Sequence, residues 1–123
     1  MLPHENEAFD RVTGFNSFQY AENPVNALSE ARRVVRPGGS VVMTTWGNPE
    51  DCDAADHVEA LQPLLPPVPP GAGGPFALSD ENALRDVVIR AGLTPAEVGD
   101  ISCAWEYPSE AVAYKFRYVS ARR

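Results

Sequence analysis

Two short stretches, set a fixed distance apart, constrain this chain more than any other feature. The first is F-D-R-V-T-G-F-N-S-F-Q-Y, Phe9 to Tyr20, and the second is E-A-R-R-V-V-R-P-G-G-S-V-V-M-T-T-W-G, Glu30 to Gly47. Phe9-Asp10 opens a strand of roughly seven residues, and Val12, Gly14 and the aromatics after them suit a buried position. Asn23 then caps a helix whose first position is Pro24, where a missing N–H costs nothing. Leu28, Ala31, Val34 and Val35 recur at helical spacing and form one apolar face. Arg32, Arg33 and Arg36 fall in the last turns, where cations suit the helix dipole. Pro37 stops the helix, and Gly38-Gly39 allow a reversal with positive φ. Ser40 to Thr45 is apolar and β-branched, and reads as a central parallel strand buried on both faces. Strand, helix and strand in this order make a crossover, the unit of a parallel sheet.

The remaining chain continues the alternation. A second helix is expected from about Asp53 to Gln62, with Ala54, Val58 and Leu61 inward and Pro63 ending it. Leu65 to Pro75 is a Pro/Gly linker, read as a loop crossing the sheet edge. Ser79 is expected to cap a third helix, Asp80 to Arg90, closed by Gly92, with Leu84, Val87, Val88 and Ala91 buried. Val98 to Tyr107 reads as a strand. Tyr114 to Ser120 alternates aromatic and charged residues, and a period of two marks a strand. Residues 108 to 113 connect the two.

Composition narrows the function classes. A net charge of −7 over 123 residues repels phosphate backbones, so nucleic-acid binding is not expected. No apolar run approaches the roughly 18 residues of a membrane span, and M-L-P-H-E-N-E lacks the basic and apolar regions of a signal peptide. The expected location is the cytoplasm. Cys52 and Cys103 are the only cysteines, with no C-x-x-C, and His4 and His57 sit at no metal-ligand spacing. Cys103 is read as packed in a strand and Cys52 as lying in a loop, both reduced. No metal site is expected.

Short segments, in order along almost the whole chain, resemble one family. Leu2, Pro3, Phe9, Asp10 and Val12 are followed by R-V-V-R-P-G-G (Arg33 to Gly39) and T-T-W-G (Thr44 to Gly47). F-A-L-S-D (Phe76 to Asp80), R-A-G-L (Arg90 to Leu93) and F-R-Y-V-S-A-R (Phe116 to Arg122) follow. Together they resemble the carboxyl half of class I S-adenosylmethionine-dependent methyltransferases of the small-molecule "type 11" branch. The resemblance implies an α/β fold, the carboxyl half of a Rossmann-like domain. It has about four strands, a parallel pair plus an antiparallel edge hairpin, and about three helices. The family's D-x-G-x-G-x-G loop and the acidic residue after its second strand have no counterpart here. Gly71 to Gly74 follows a proline run rather than a strand, so it does not replace the loop. The expectation is a partial domain over residues 1–123, lacking the glycine-rich cofactor half.

What the resemblance implies for the site is one wall. Ligands of open α/β sheets lie at the carboxyl ends of the strands. Phe15, Asn16, Ser17 and Gln19 lie there, and by resemblance this loop contacts the methionine and sulfur side of S-adenosylmethionine. Asn16 also suits a turn that bonds its own backbone. Trp46 is placed to border a pocket for a small-molecule methyl acceptor, while Trp105 and Tyr107 read as sheet packing. The implied reaction is a single displacement at the sulfonium methyl, for which the protein supplies alignment and a dry cavity. No residue stands out as a catalytic base. The expected activity is methyl transfer that is weak or absent in this chain alone. The alternative is a non-catalytic fragment that pairs with another chain through its edge strand, either as a homodimer or with the missing amino-terminal half.

Overall fold

A computed structural model describes residues 1–67, 73–106 and 111–123, with side chains described outside 105–116. Four strands form one sheet: β1 Phe9–Phe15, β2 Val35–Trp46, β3 Thr94–Glu106 and β4 Ala111–Arg122. Three helices accompany them: α1 Pro24–Val34, α2 Ala54–Leu61 and α3 Glu81–Arg90. The strand order is β1-β2-β4-β3. β1 and β2 run parallel, and β4 runs antiparallel to both β2 and β3. The architecture is the α/β half-sheet expected from the sequence, with its parallel pair and antiparallel edge hairpin.

The crossover forms for the reasons its residues give. Asn23 accepts a hydrogen bond from the Asn26 backbone N–H at 3.1 Å, and Pro24 takes the first helical position. Leu28, Ala31 and Val34 are buried along one face of α1. The helix ends at Val34, two residues before Arg36, because Val35 already pairs with Phe9 as the first residue of β2. Arg36 is therefore a strand residue, and its guanidinium meets Asp10 of β1 instead of the helix dipole. Gly38 turns with φ +77° as expected. Gly39 has ordinary φ, but a side chain there would strike the Asp10 carbonyl across the strand pair.

One face of the sheet carries the core. Leu28 and Ala31 of α1 and Leu84 and Val88 of α3 cluster with Val41 and Met43 of β2 and Val119 and Ala121 of β4. β2 alternates buried and half-buried from Gly39 onward, so it is not buried on both faces. Its opposite face, with Ser40, Val42, Thr44 and Trp46, is only half-buried. The β-branched run signalled a central strand correctly, but a parallel partner on one side does not bring helices to both faces.

Smaller differences follow from local bonding. Asp80 caps α3 through its carboxylate to the Ala83 N–H at 2.8 Å. Ser79 is instead buried, and its carbonyl accepts from Arg117. In α2 only Ala54 is buried; Val58 is half-buried and Leu61 exposed. β3 starts four residues earlier than expected, with Pro95 at a register shift on an edge strand, where proline is tolerated. Cys52 lies in the loop before α2 as expected, and is buried; Cys103 lies in β3 as expected, but is exposed rather than packed. Tyr107, the 108–110 segment, residues 68–72 of the expected linker and the Trp105 side chain lie outside the described residues.

Residues 2–7 fold back along α1. Arg33 donates to the carbonyls of Leu2 and His4 and to Asn6 Oδ1, while Glu30 accepts the Leu2 backbone N–H. Hydrogen bonds from Arg33, then from the Leu2 N–H, lower the Glu30 carboxyl from 4.5 to about 2.

Leu28 is wholly buried and Arg32 is exposed on the same helix. Leu28→Ala is expected to cost roughly 2–5 kcal/mol in urea melts. Arg32→Ala should stay within about 0.5 kcal/mol. The opposite ranking would show that α1 packs on another face.

Candidate functional site

The carboxyl ends of β1 and β2 lie side by side, in register from Arg11 with Ser40 to Phe15 with Thr44. Beyond β1 the chain must turn sharply. Asn16 makes that turn in the left-handed region at φ +49°, a conformation in which asparagine is enriched. Its backbone N–H bonds the Thr44 carbonyl at 3.0 Å, which ties the loop to the end of β2. A single turn of 3₁₀ helix, Phe18–Tyr20, follows. Gly14 permits it, because any side chain at Gly14 would collide with the Phe18 ring.

The expected site residues divide into two groups. Asn16, Gln19 and Trp46 come together. Asn16 Oδ1 accepts from Gln19 Nε2 and from Trp46 Nε1, the latter at 2.8 Å. One amide oxygen thus joins the loop after β1 to the last residue of β2. Asn16 is therefore both a turn residue and a cross-strand tether. The Phe15 ring is 64% exposed at the strand end. Ser17 is exposed and turns the other way, toward a hollow between β1 and α1 shared with Leu2, Val12 and Ala27.

Gln19 is fully buried, and its Oε1 has no hydrogen-bond partner among the described residues. Thr45 Oγ1 at the end of β2 is likewise buried without a partner. Both orphan acceptors lie at the strand ends, where an unsatisfied group costs about 1–3 kcal/mol.

The Trp46 ring packs edge-on against Phe76, with centroids 5.5 Å apart. Phe76 forms one wall of a cavity of about 680 Å³. Tyr20, Val58, Ala55, Leu65 and Pro75 also line it, with Glu59 and Gln62 as its main polar side chains. That volume and apolar lining suit a small organic ligand. Sequence reasoning placed Val58 in the core and did not find this cavity. Its walls come from α2 and from 73–77, which are far apart in sequence. The signal was Gly73: a side chain there would collide with the Gln19 carbonyl, so this glycine lets the segment close onto the 3₁₀ turn.

A second feature absent from the sequence reading supports the site from below. Arg117 of β4 is nearly buried and holds Asp100 of β3 with two bonds, at 2.7 and 3.1 Å. It also donates to the Ser79 carbonyl at 2.6 Å, fixing the entry to α3. Its hydrogen bonds to Asp100 come first among the causes that raise its already high pKa. Arg and Asp sit directly opposite in register, a pairing visible only once the hairpin is known. No cluster of His, Cys, Asp or Glu among the described residues could hold a metal.

Solved structures of similar shape cover nearly the whole chain. The matches include a protein of Bacillus halodurans assigned to the methyltransferases (TM-score 0.69, 15% identity, 99% of this chain, 73% of that one). They include an S-adenosylmethionine-dependent methyltransferase of Thermotoga maritima (0.62, 18%, 99% and 59%). A third is a methyltransferase complex with the Haloferax volcanii Trm112 activator (0.68, 19%, 99% and 57%). The chain has the methyltransferase fold. Residues 1–43, which include β1, α1 and most of β2, also match the family model described as a methyltransferase domain. The chain spans 73% of the first of these structures and less than two thirds of the other two. No curated protein matches it significantly.

The methyltransferase fold gives the Asn16 tether a measurable consequence. Asn16→Gly keeps the left-handed turn but removes the amide, stranding the buried Gln19 Nε2 and removing one hydrogen-bond partner of the Trp46 indole. A loss of about 1–3 kcal/mol is expected in urea melts, together with a red shift of tryptophan emission. Unchanged stability and emission would show that Asn16 acts through its backbone alone.

Proposed function

We propose that this chain carries the acceptor-side half of an S-adenosylmethionine-dependent methyltransferase for a small, largely apolar molecule. The observation behind this reading is the cavity walled by Phe76, whose ring packs on Trp46, and lined also by Tyr20 and Pro49, which follow the carboxyl ends of the two parallel strands in a methyltransferase fold. In this reading Phe15, Asn16 and Gln19 are the wall toward the cofactor, Ser17 faces the hollow between β1 and α1 instead, and Trp46 and Phe76 stand on the acceptor side. The residues fit that part of the group. The exposed Phe15 ring offers an apolar flank, and the orphaned Gln19 Oε1 gives the loop one unused acceptor. When bound, the cofactor would supply an electrophilic sulfonium methyl. The protein's part is to orient the acceptor, exclude water and keep the loop rigid through the Asn16 tether.

As half a site, the chain alone should bind the cofactor weakly and turn over slowly. Calorimetric titration with S-adenosylmethionine is expected to give a dissociation constant of about 1 mM or weaker, near −4 kcal/mol or less favourable. A micromolar constant for this chain alone would contradict the half-site reading.

One observation favours a second reading, in which the chain works by pairing with another. β1 lies at the sheet edge, and β2 is its only strand partner among the described residues. Two hollows of about 350 and 230 Å³ flank it, lined by Leu2, Phe9, Val12, Phe18 and Val34 among others. An open edge beside apolar hollows is a template for an added strand. The partner is a second copy of this chain or a polypeptide that completes the sheet. Val12 packs against the core, so the exposed Thr13 is the position to alter. Light scattering on the same sample should show association that Thr13→Lys reduces, with the later strands still folded. A clean monomer at high concentration would remove this second reading.

A further inference from the structure

The opposite end of the sheet carries a feature that neither reading uses. Nine arginines stand among 17 acidic residues, and six of them pair with a carboxylate. The pairs are Arg33–Glu30, Arg36–Asp10, Arg85–Glu81, Arg90–Asp86, Arg117–Asp100 and Arg123–Glu7. The other three, Arg32 on the exposed face of α1, Arg11 and Arg122, have no carboxylate partner among the described residues. In a chain with this excess of acid, two unpaired guanidiniums side by side need an explanation.

Register places them together. Arg11 of β1 is opposite Ser40 of β2, and Ser40 is opposite Arg122 of β4. The three lie in one row on the half-buried face of the sheet, away from α1 and α3. Two strand spacings put the arginine backbones roughly 10 Å apart, a gap that two long guanidinium side chains close around one anion. Arg11 Nε already donates to Ser40 Oγ at 3.1 Å, which orients its fork. Arg11, Ser40, Ser120 and Arg122 line one hollow of about 420 Å³, with Val42 and Glu97.

We propose that this hollow binds the phosphate group of a small molecule. Guanidinium forks match phosphate oxygens two at a time, and the two serine hydroxyls add donors between them. These donors rise from three strands and converge from different directions, which suits a tetrahedral oxyanion better than a planar carboxylate. Glu97 is the opposing charge. It accepts the Tyr118 hydroxyl at 2.8 Å, and this bond raises the Tyr118 pKa. Two guanidiniums against one carboxylate leave the hollow locally positive in an acidic chain. A compact phosphate is accepted there, while the net charge of −7 repels extended polyanions. The site lies at the start of β1, and the proposed acceptor cavity lies past its end, so the two ligands do not compete.

The test is an NMR titration of the full chain that follows the arginine Nε–H signals. The probes are inorganic phosphate and phenyl phosphate, with acetate and chloride for comparison. The Arg11 and Arg122 signals should move with either phosphate, and preference between the two probes tells free phosphate from an ester. Arg122→Gln should weaken binding about tenfold or more, the loss of a charged hydrogen bond. Arg32→Gln should leave it unchanged, and Glu97→Gln should strengthen it. If any of these variants fails to fold, the wild-type signals still decide. Signals that stay fixed to roughly 50 mM phosphate, or that move equally with acetate, would overturn the proposal. So would equal weakening by Arg32→Gln.

Discussion

The structure depends on the burial of one face of β2. Val41 and Met43 lie under Leu28 of α1 and Leu84 and Val88 of α3. Each of these side chains is at most 2% exposed, and full burial of such a side chain contributes on the order of 1.5–3 kcal/mol. No surface ion pair among the described residues matches that, since exposed pairs contribute about 0–1 kcal/mol. The contact also sets the geometry. It brings α1 and α3 to one side, holds β1 parallel to β2, and leaves Ser40, Val42, Thr44 and Trp46 on the other face. The strand-end loops and the half-buried face both follow from it.

Much of this was legible in the sequence because the signals are local. Asn23-Pro24 and the apolar spacing of Leu28, Ala31 and Val34 fix α1 without reference to anything distant. Gly92 closes α3 in the same way, with φ +77°. The β-branched run of β2 and the alternation of β4 marked strands, while the antiparallel edge hairpin was implied by the family resemblance. The errors arose where tertiary bonding decides between local equals. Ser79 and Asp80 are both good caps, and Arg117 occupies the Ser79 carbonyl. Val35 suits helix or strand, and pairing with Phe9 makes it a strand residue.

The site was legible in its loop and not in its cavity. Phe15, Asn16, Gln19 and Trp46 follow strand ends, and strand ends are readable. That Asn16 bonds both Gln19 and Trp46 depends on two strands lying in register. The cavity wall at Val58 and Phe76 depends on Gly73 closing over the 3₁₀ turn. The Arg11–Ser40–Arg122 row was invisible for the same reason: its members are 29 and 82 residues apart, and only the register unites them.

Amide hydrogen exchange over the sheet tests the central claim most directly. If burial of one β2 face organises the molecule, Val41 to Thr45 and their β4 partners Arg117 to Ala121 should be the slowest to exchange. Alternate amides of β1, those pointing away from β2, should exchange fastest within the sheet. Uniformly strong protection along β1, or weaker protection of β2 than of β3, would contradict the account.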